Sequence, residues 1–292
     1  MYYGAMEAGG TKIISAIGTA EGEIIDSIEV PTLSPEETLP ALVEFYKKYR
    51  LEALGIGAFG PVELHRESSD YGRVLNSPKK AWHDFNFYRY FKEQLDCEVV
   101  VDTDVNGAAL GESIHGALQG VSDGMYLTIG TGIGAGILVD GKLLHGSMHP
   151  EAGHILLQKH PEDLAECSCG YHTHCFESLA AGPSLEKRTG IPGAKIPGDH
   201  PVWDMECYYI AQALVNYTLI LATRRIVLGG GVMKQEHLFP KIREQFRKLM
   251  AGYMDTKEIR DLDQFIVPAK LDGRQGIIGA LYLGILDGKD EL

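Results

Sequence analysis

Apolar positions recur along residues 2–8, 12–18 and 23–30 in short runs bounded by turn residues, which read as short apolar strands. Gly9-Gly10-Thr11 separates the first two runs and Ala20-Glu21-Gly22 the next, so three short strands joined by tight turns are predicted. Ser34 and Pro35 then mark a helix start, with Ser34 as N-cap and Pro35 at the first helical position, and the helix runs to about residue 50. A strand at 53–58 follows, then a loop from Gly60 to about His83 rich in Gly, Pro and charge. An aromatic helix near 85–95, a strand at 98–102 and a helix from about 105 to 119 complete this half.

The second half opens the same way. A strand at 125–129, the turn Gly130-Thr131-Gly132-Ile133-Gly134 and a return strand at 135–139 lead through Asp140-Gly141 into a third strand. Helices dominate from 176 to about 221, a strand follows at 225–228, and Gly229-Gly230-Gly231 is read as opening another helix. The last strand is expected at 265–267 and the last helix at 277–286. A repeat of this size predicts two similar α/β domains facing each other, with antiparallel pairs at one side of an otherwise parallel sheet. The expected division is 1–118, joined by the C-terminal helix 274–292, and 119–273. Such a fold accommodates a nucleotide between the two glycine turns, though fold alone does not establish function.

Bulk properties narrow the classes. The 292 residues suffice for two domains at roughly 100–200 residues each. Hydrophobic residues make up 45% and charged residues 23%, as in ordinary globular enzymes. The net charge of −13 leaves no continuous basic surface for nucleic acid, so any bound phosphate must be met by loop amides, helix N-termini and metal. The first residues show neither a basic nor an apolar leader segment, and the most apolar helix is broken by Gln212, Asn216 and Thr218, so a cytoplasmic protein without membrane spans is expected. The terminal Lys289-Asp290-Glu291-Leu292 spells a retrieval signal read only in the secretory path and is taken as chance.

Three stretches are rich in glycine. Gly9-Gly10-Thr11-Lys12 is either a plain hairpin turn or a phosphate contact through Thr11 and Lys12. Gly130 to Gly136 carries four glycines at alternate positions, more than a hairpin requires, and close approach of amides to an anion explains the excess. Ile226 to Met233 runs from a strand into a glycine loop, where nucleotides sit in α/β folds. In Asp102-Thr103-Asp104-Val105-Asn106, Asp104 at a strand end reads equally as a general base or as a helix cap. Of five cysteines, Cys97 and Cys207 stand alone, whereas Cys169-x-x-His172-x-x-Cys175 with His154 suits a closed tetrahedral zinc site. Cys167, His160 and His174 compete for a place in it.

This ordered set resembles the ROK family of sugar kinases and repressors, from Gly4 to about Leu286, and the spacing of the knuckle and Ala181-Gly182-Pro183-Ser184 resemble its bacterial fructokinase branch. The resemblance implies duplicated ribonuclease-H-like domains of the actin/hexokinase superfamily with a cleft between them. It implies ATP, Mg²⁺ and structural Zn²⁺, a small-molecule sugar substrate, and a homodimer. By position, Asp104 would be the catalytic base, and Asn106, Glu151, His154 and Glu177 would line the sugar site. Gly9, Gly10, Thr11, Lys12, Thr131 and Gly132 would meet ATP phosphates. Pro183 and the run Gly230, Gly231, Val232, Met233, Lys234 and Gln235 would hold the adenosine. His154, Cys169, His172 and Cys175 would bind zinc. Family members usually carry Asp where Glu7 stands, and a sugar-contacting Asn whose nearest counterpart here is Asn76. The implied reaction is transfer of the γ-phosphoryl of ATP to the 6-hydroxyl of fructose. Glucose, mannose or an N-acetylhexosamine is the alternative acceptor. A sugar-responsive repressor is disfavoured, since such members place a DNA-binding region ahead of the first glycine turn, where only eight residues stand before Gly9.

Overall fold

The structure is a computed structural model that describes residues 1–77, 79–167 and 169–287. The terminal Lys289–Leu292 motif and the last residues of the expected final helix therefore lie outside the described residues. In chain order the elements are β1 (Tyr2–Ala8), β2 (Lys12–Thr19), β3 (Ile24–Pro31), α1 (Pro35–Tyr46), β4 (Leu51–Ala58), α2 (Phe87–Gln94), β5 (Glu98–Thr103) and α3 (Asp104–His115). Then come β6 (Gly124–Ile129), β7 (Ile133–Val139), β8 (Lys142–Leu143), α4 (Phe176–Ala180), α5 (Gly182–Thr189) and α6 (Val202–Leu221). The chain continues through β9 (Arg225–Gly229), α7 (Leu238–Met250), α8 (Lys257–Arg260), α9 (Leu262–Phe265), β10 (Ile266–Pro268) and α10 (Gln275–Asp287).

Two five-stranded sheets result, ordered β3-β2-β1-β4-β5 and β10-β9-β6-β7-β8. In each, the opening hairpin is antiparallel (β1 with β2, β6 with β7) and the later strands add in parallel (β1 with β4, β6 with β9). The chain divides into a first unit of residues 1–119, 142–150 and 271–292 and a second of 120–141 and 151–270. The grouping of 142–150 with the first unit differs from the expected boundaries; that segment has no periodicity, and side chains far away in the sequence hold it.

In the first unit, the aromatic run packs as a cluster: Trp82 stacks on Phe87 at 5.3 Å, with Phe59 and Phe85 edge-on to it. The aromatic helix begins at Phe87 rather than 85, because Asn86 caps it by accepting from the Arg89 amide. Helix α1 opens as expected at Ser34, where the Glu37 carboxylate accepts from the Ser34 amide and hydroxyl, but it ends at Tyr46 rather than near 50. Helix α10 lies against α3 backbone to backbone: a Cβ at Gly279 would stand 1.6 Å from the Gly107 carbonyl oxygen, a distance no side chain allows. In the second unit the expected helix at Gly229–Gly231 is displaced. A 3-10 turn spans Val232–Lys234, Gln235 breaks it, and α7 starts only at Leu238.

Candidate active site

The first unit presents its carboxylates where β1 and β5 end. Thr103, in extended conformation, accepts from the Asn106 amide at 3.1 Å and is the N-cap of α3. Asp104 is the first residue inside the helix, with Oδ1 accepting from the Val105 amide at 2.9 Å. The cap and the candidate base are therefore different residues. Two adjacent residues could each have capped, and the backbone selects Thr103. Burial pushes the Asp104 carboxyl up to about 6 against two backbone hydrogen bonds.

Glu7, at the end of β1, is pushed up to about 7 by burial and then by the charge of Asp104, with Lys12 and the Ile277 backbone opposing. Its Oε2 is buried with no hydrogen-bond partner among the described residues. A Cβ at Gly276 would lie 2.4 Å from the Glu7 carboxyl carbon, so the first turn of α10 needs glycine to leave this carboxyl its room. The first glycine turn is a closed hairpin in which the Gly9 amide donates to the Lys12 carbonyl at 3.0 Å. Gly10 and Thr11 are exposed at its tip, and the Lys12 ammonium reaches Glu29 at 2.6 Å. Asn106 is fully buried, and Asn76 is exposed.

In the second unit the other two glycine stretches converge. The Gly130 amide donates to the Gly132 carbonyl at 2.9 Å, and the Gly182 amide donates to the Gly130 carbonyl at 2.7 Å. Thr131 and Gly132 thus sit beside the N-terminus of α5, which carries Pro183. Gly230 takes φ of 88°, and a Cβ there would be 2.4 Å from the Ile129 carbonyl oxygen, so the third stretch folds onto the second only as glycine. Val232 and Met233 are buried, whereas Lys234 is exposed and Gln235 half-buried.

Glu177, in the first turn of α4, has its Oε2 accepting from the Ile133 amide at 2.9 Å. This joins the expected sugar contact to the glycine loop. Exposed Glu151 leads into a 3-10 turn over Ala152–His154, held by Tyr217, whose hydroxyl donates to the Ala152 carbonyl at 2.7 Å. Tyr217 was not anticipated, since it reads as one more core residue of α6.

His154, Cys169, His172 and Cys175 place ligand atoms all within 4.8 Å of one another. Cys169 Sγ is 3.6 Å from His154 Nδ1 and 3.3 Å from His172 Nδ1. Zinc bonds of about 2.3 Å to sulfur and about 2.0–2.1 Å to nitrogen make the S···N edge of a tetrahedron about 3.5 Å, so the donor set fits zinc. Of the three competitors, His160 Nδ1 accepts from the Glu162 amide and His174 meets the Thr173 hydroxyl, whereas Cys167 stays beside the set, donating to the His172 carbonyl and accepting from the Cys169 amide at 3.5 Å.

These paired α/β sheets with glycine loops at their hairpins define the actin/hexokinase-like fold. The ROK family model matches residues 3–285, and the chain belongs to the ROK family. It is 44% identical to a fructokinase of Pediococcus pentosaceus over 97% of each chain. It is 40% identical to a fructokinase of Lactococcus lactis subsp. cremoris, again over 97% of each. Among solved structures, a ROK family glucokinase from Streptomyces griseus in complex with glucose and AMPPNP superposes with a TM-score of 0.77. That match has 26% identity and covers 97% of this chain and 99% of the other.

Proposed function

We propose that the protein transfers the γ-phosphoryl group of ATP to the 6-hydroxyl of fructose. The observation that carries this reading is likeness to fructokinases at 40–44% identity over almost the whole of both chains. The site agrees with it. Asp104 is an enclosed carboxyl held up to about 6, so near neutral pH it is mostly ionised yet basic enough to take a hydroxyl proton. Its Oδ1 is steadied by the Val105 amide, which leaves the other oxygen for the acceptor.

The loop at Thr131 and Gly132 is the proposed polyphosphate contact: the amides of Gly130, Gly182 and Ser184 already donate to backbone carbonyls and Pro183 has none, so the loop rather than the N-terminus of α5 would meet the phosphates. Mg²⁺, when bound to those phosphates, neutralises the charge that develops in transfer. Enclosed Glu7, unpartnered at Oε2, is the carboxyl whose surroundings favour a nearby cation. Glu151, His154 and Glu177 are the proposed sugar contacts of the second unit, and Asn106 that of the first. Zn²⁺ held by His154, Cys169, His172 and Cys175 would brace the segment that carries Glu177.

A hexose panel in an ADP-release assay tests the reading. Fructose should exceed glucose in kcat/KM by about tenfold or more, as one mismatched buried polar group implies. Equal or better use of glucose or mannose would retire fructose and leave a hexose kinase.

A further inference from the structure

Segment 142–150 is fastened to the first unit by three histidines. His65 Nε2 meets the Gly146 carbonyl at 3.0 Å, and His149 Nε2 accepts from the Val62 amide at 3.2 Å. Between them, His145 Nε2 lies 2.9 Å from Asp102 Oδ2. Asp102 is only 5% exposed, and every donor to it has a consequence. Its Oδ1 accepts from the Thr103 amide and from Asn106 Nδ2, both at 2.7 Å.

Since Asp102 accepts from Nε2, that ring nitrogen carries a proton and cannot accept in turn from Asn106 Nδ2, 3.3 Å away. The amide direction of Asn106 follows. Turned over, its oxygen would stand 2.7 Å from a carboxylate oxygen, two acceptors facing each other. Asn106 Oδ1 must therefore point away from Asp102, and it is buried with no partner among the described residues. A buried carbonyl oxygen unpaired among the described residues, two positions along α3 from Asp104, calls for a donor, which a sugar hydroxyl would supply.

We infer that His145 and Asp102 are positioning residues for the sugar: His145 holds Oδ2 of Asp102 so that Oδ1 keeps the Asn106 amide turned with its oxygen toward a substrate hydroxyl. This rests on the hexose kinase reading above and adds two residues to it. His145 touches neither sugar nor nucleotide in this scheme. Removing it frees the carboxylate to rotate, and Asn106 loses its fixed direction. His65 and His149 still hold the segment, so the change stays local.

The test is steady-state kinetics of His145→Leu, His145→Gln and Asp102→Asn, with thermal melts of each. His145→Leu should raise KM for fructose about tenfold, the loss of one oriented hydrogen bond, with KM for ATP within about twofold. His145→Gln, whose side-chain amide can donate to Asp102, should recover most of that loss. Asp102→Asn should raise the same KM, and the double variant Asp102→Asn/His145→Leu should be no worse than the poorer single, because both act through one bond. Unchanged fructose KM in folded His145→Leu overturns the inference, as do equal rises in both KM values or no recovery with glutamine. If the leucine variant does not fold, Asp102→Asn decides alone, and an unchanged fructose KM in it is equally fatal. Should the wild type phosphorylate no hexose, the kinase reading falls and this inference with it. Failure of the variants alone leaves that reading in place.

Discussion

Replacing Asp104 by asparagine separates the chemistry of this carboxyl from its place in the fold. Asparagine keeps the shape and the oxygen that accepts from the Val105 amide, and the helix cap belongs to Thr103, so α3 has no reason to unwind. What disappears is a buried charge. Burial, the largest influence, lifts the carboxyl from 3.8 to about 6. At about 1.4 kcal/mol for each pH unit, the ionised form costs the folded state about 3 kcal/mol, an upper figure because the residue keeps some contact with solvent. The sign follows from proton counting. Between pH 3.8 and about 6 the folded protein binds more protons here than the unfolded chain, so stability falls as pH rises through that window. The Asp104→Asn variant has no such loss. Wild type and variant should melt alike near pH 3.8 and diverge to at most about 3 kcal/mol in favour of the variant by pH 7. Turnover should move the other way and fall by about 10²–10⁴, as for loss of a general base. In the wild type, kcat/KM should decline as pH drops through about 6, where the base is protonated. Urea titrations at several pH values and a coupled ADP assay measure both. A loss of turnover below about tenfold, or a variant less stable at pH 7, would refute the assignment.

Elemental analysis of desalted protein should find about one zinc per chain, and Cys175→Ser should lose it and raise KM for fructose; a metal-free protein with full activity contradicts this. Glu206, fully enclosed with neither oxygen partnered among the described residues, has its carboxyl raised well above 4.5 by burial, with Arg188 opposing. Glu206→Gln should melt like wild type near pH 4.5 and increasingly above it as pH rises, whereas parallel pH curves would mean the carboxyl is not buried neutral. A Cβ at Gly153 would lie 2.1 Å from the Ile133 carbonyl oxygen, and backbone there cannot give way. Gly153→Ala should therefore destabilise the fold by about 1–3 kcal/mol and weaken fructose use, and an unchanged melt would show that the turn relaxes.

Much of this protein is local and therefore legible in one dimension. Short apolar runs on either side of a glycine turn mark the two opening hairpins, Ser34 and Pro35 mark the start of α1, and the four alternating glycines mark the loop before β7. The candidate metal set was readable because Cys169, His172 and Cys175 stand three residues apart in the chain. Tertiary structure decided what depends on contacts without periodicity. His145 meets Asp102 across 43 positions and Glu177 meets the Ile133 amide across 44, and neither spacing leaves a trace in the chain. The same holds for segment 142–150, which joins the first unit through His65, His145 and His149 although the residues on either side of it belong to the second. Even the choice between Thr103 and Asp104 as cap waited on backbone geometry: both can cap, and the extended conformation of Thr103 at the end of β5 gives it the cap. Local propensity and pattern select the elements, while desolvation and the direction of each buried hydrogen bond arise only once distant segments meet.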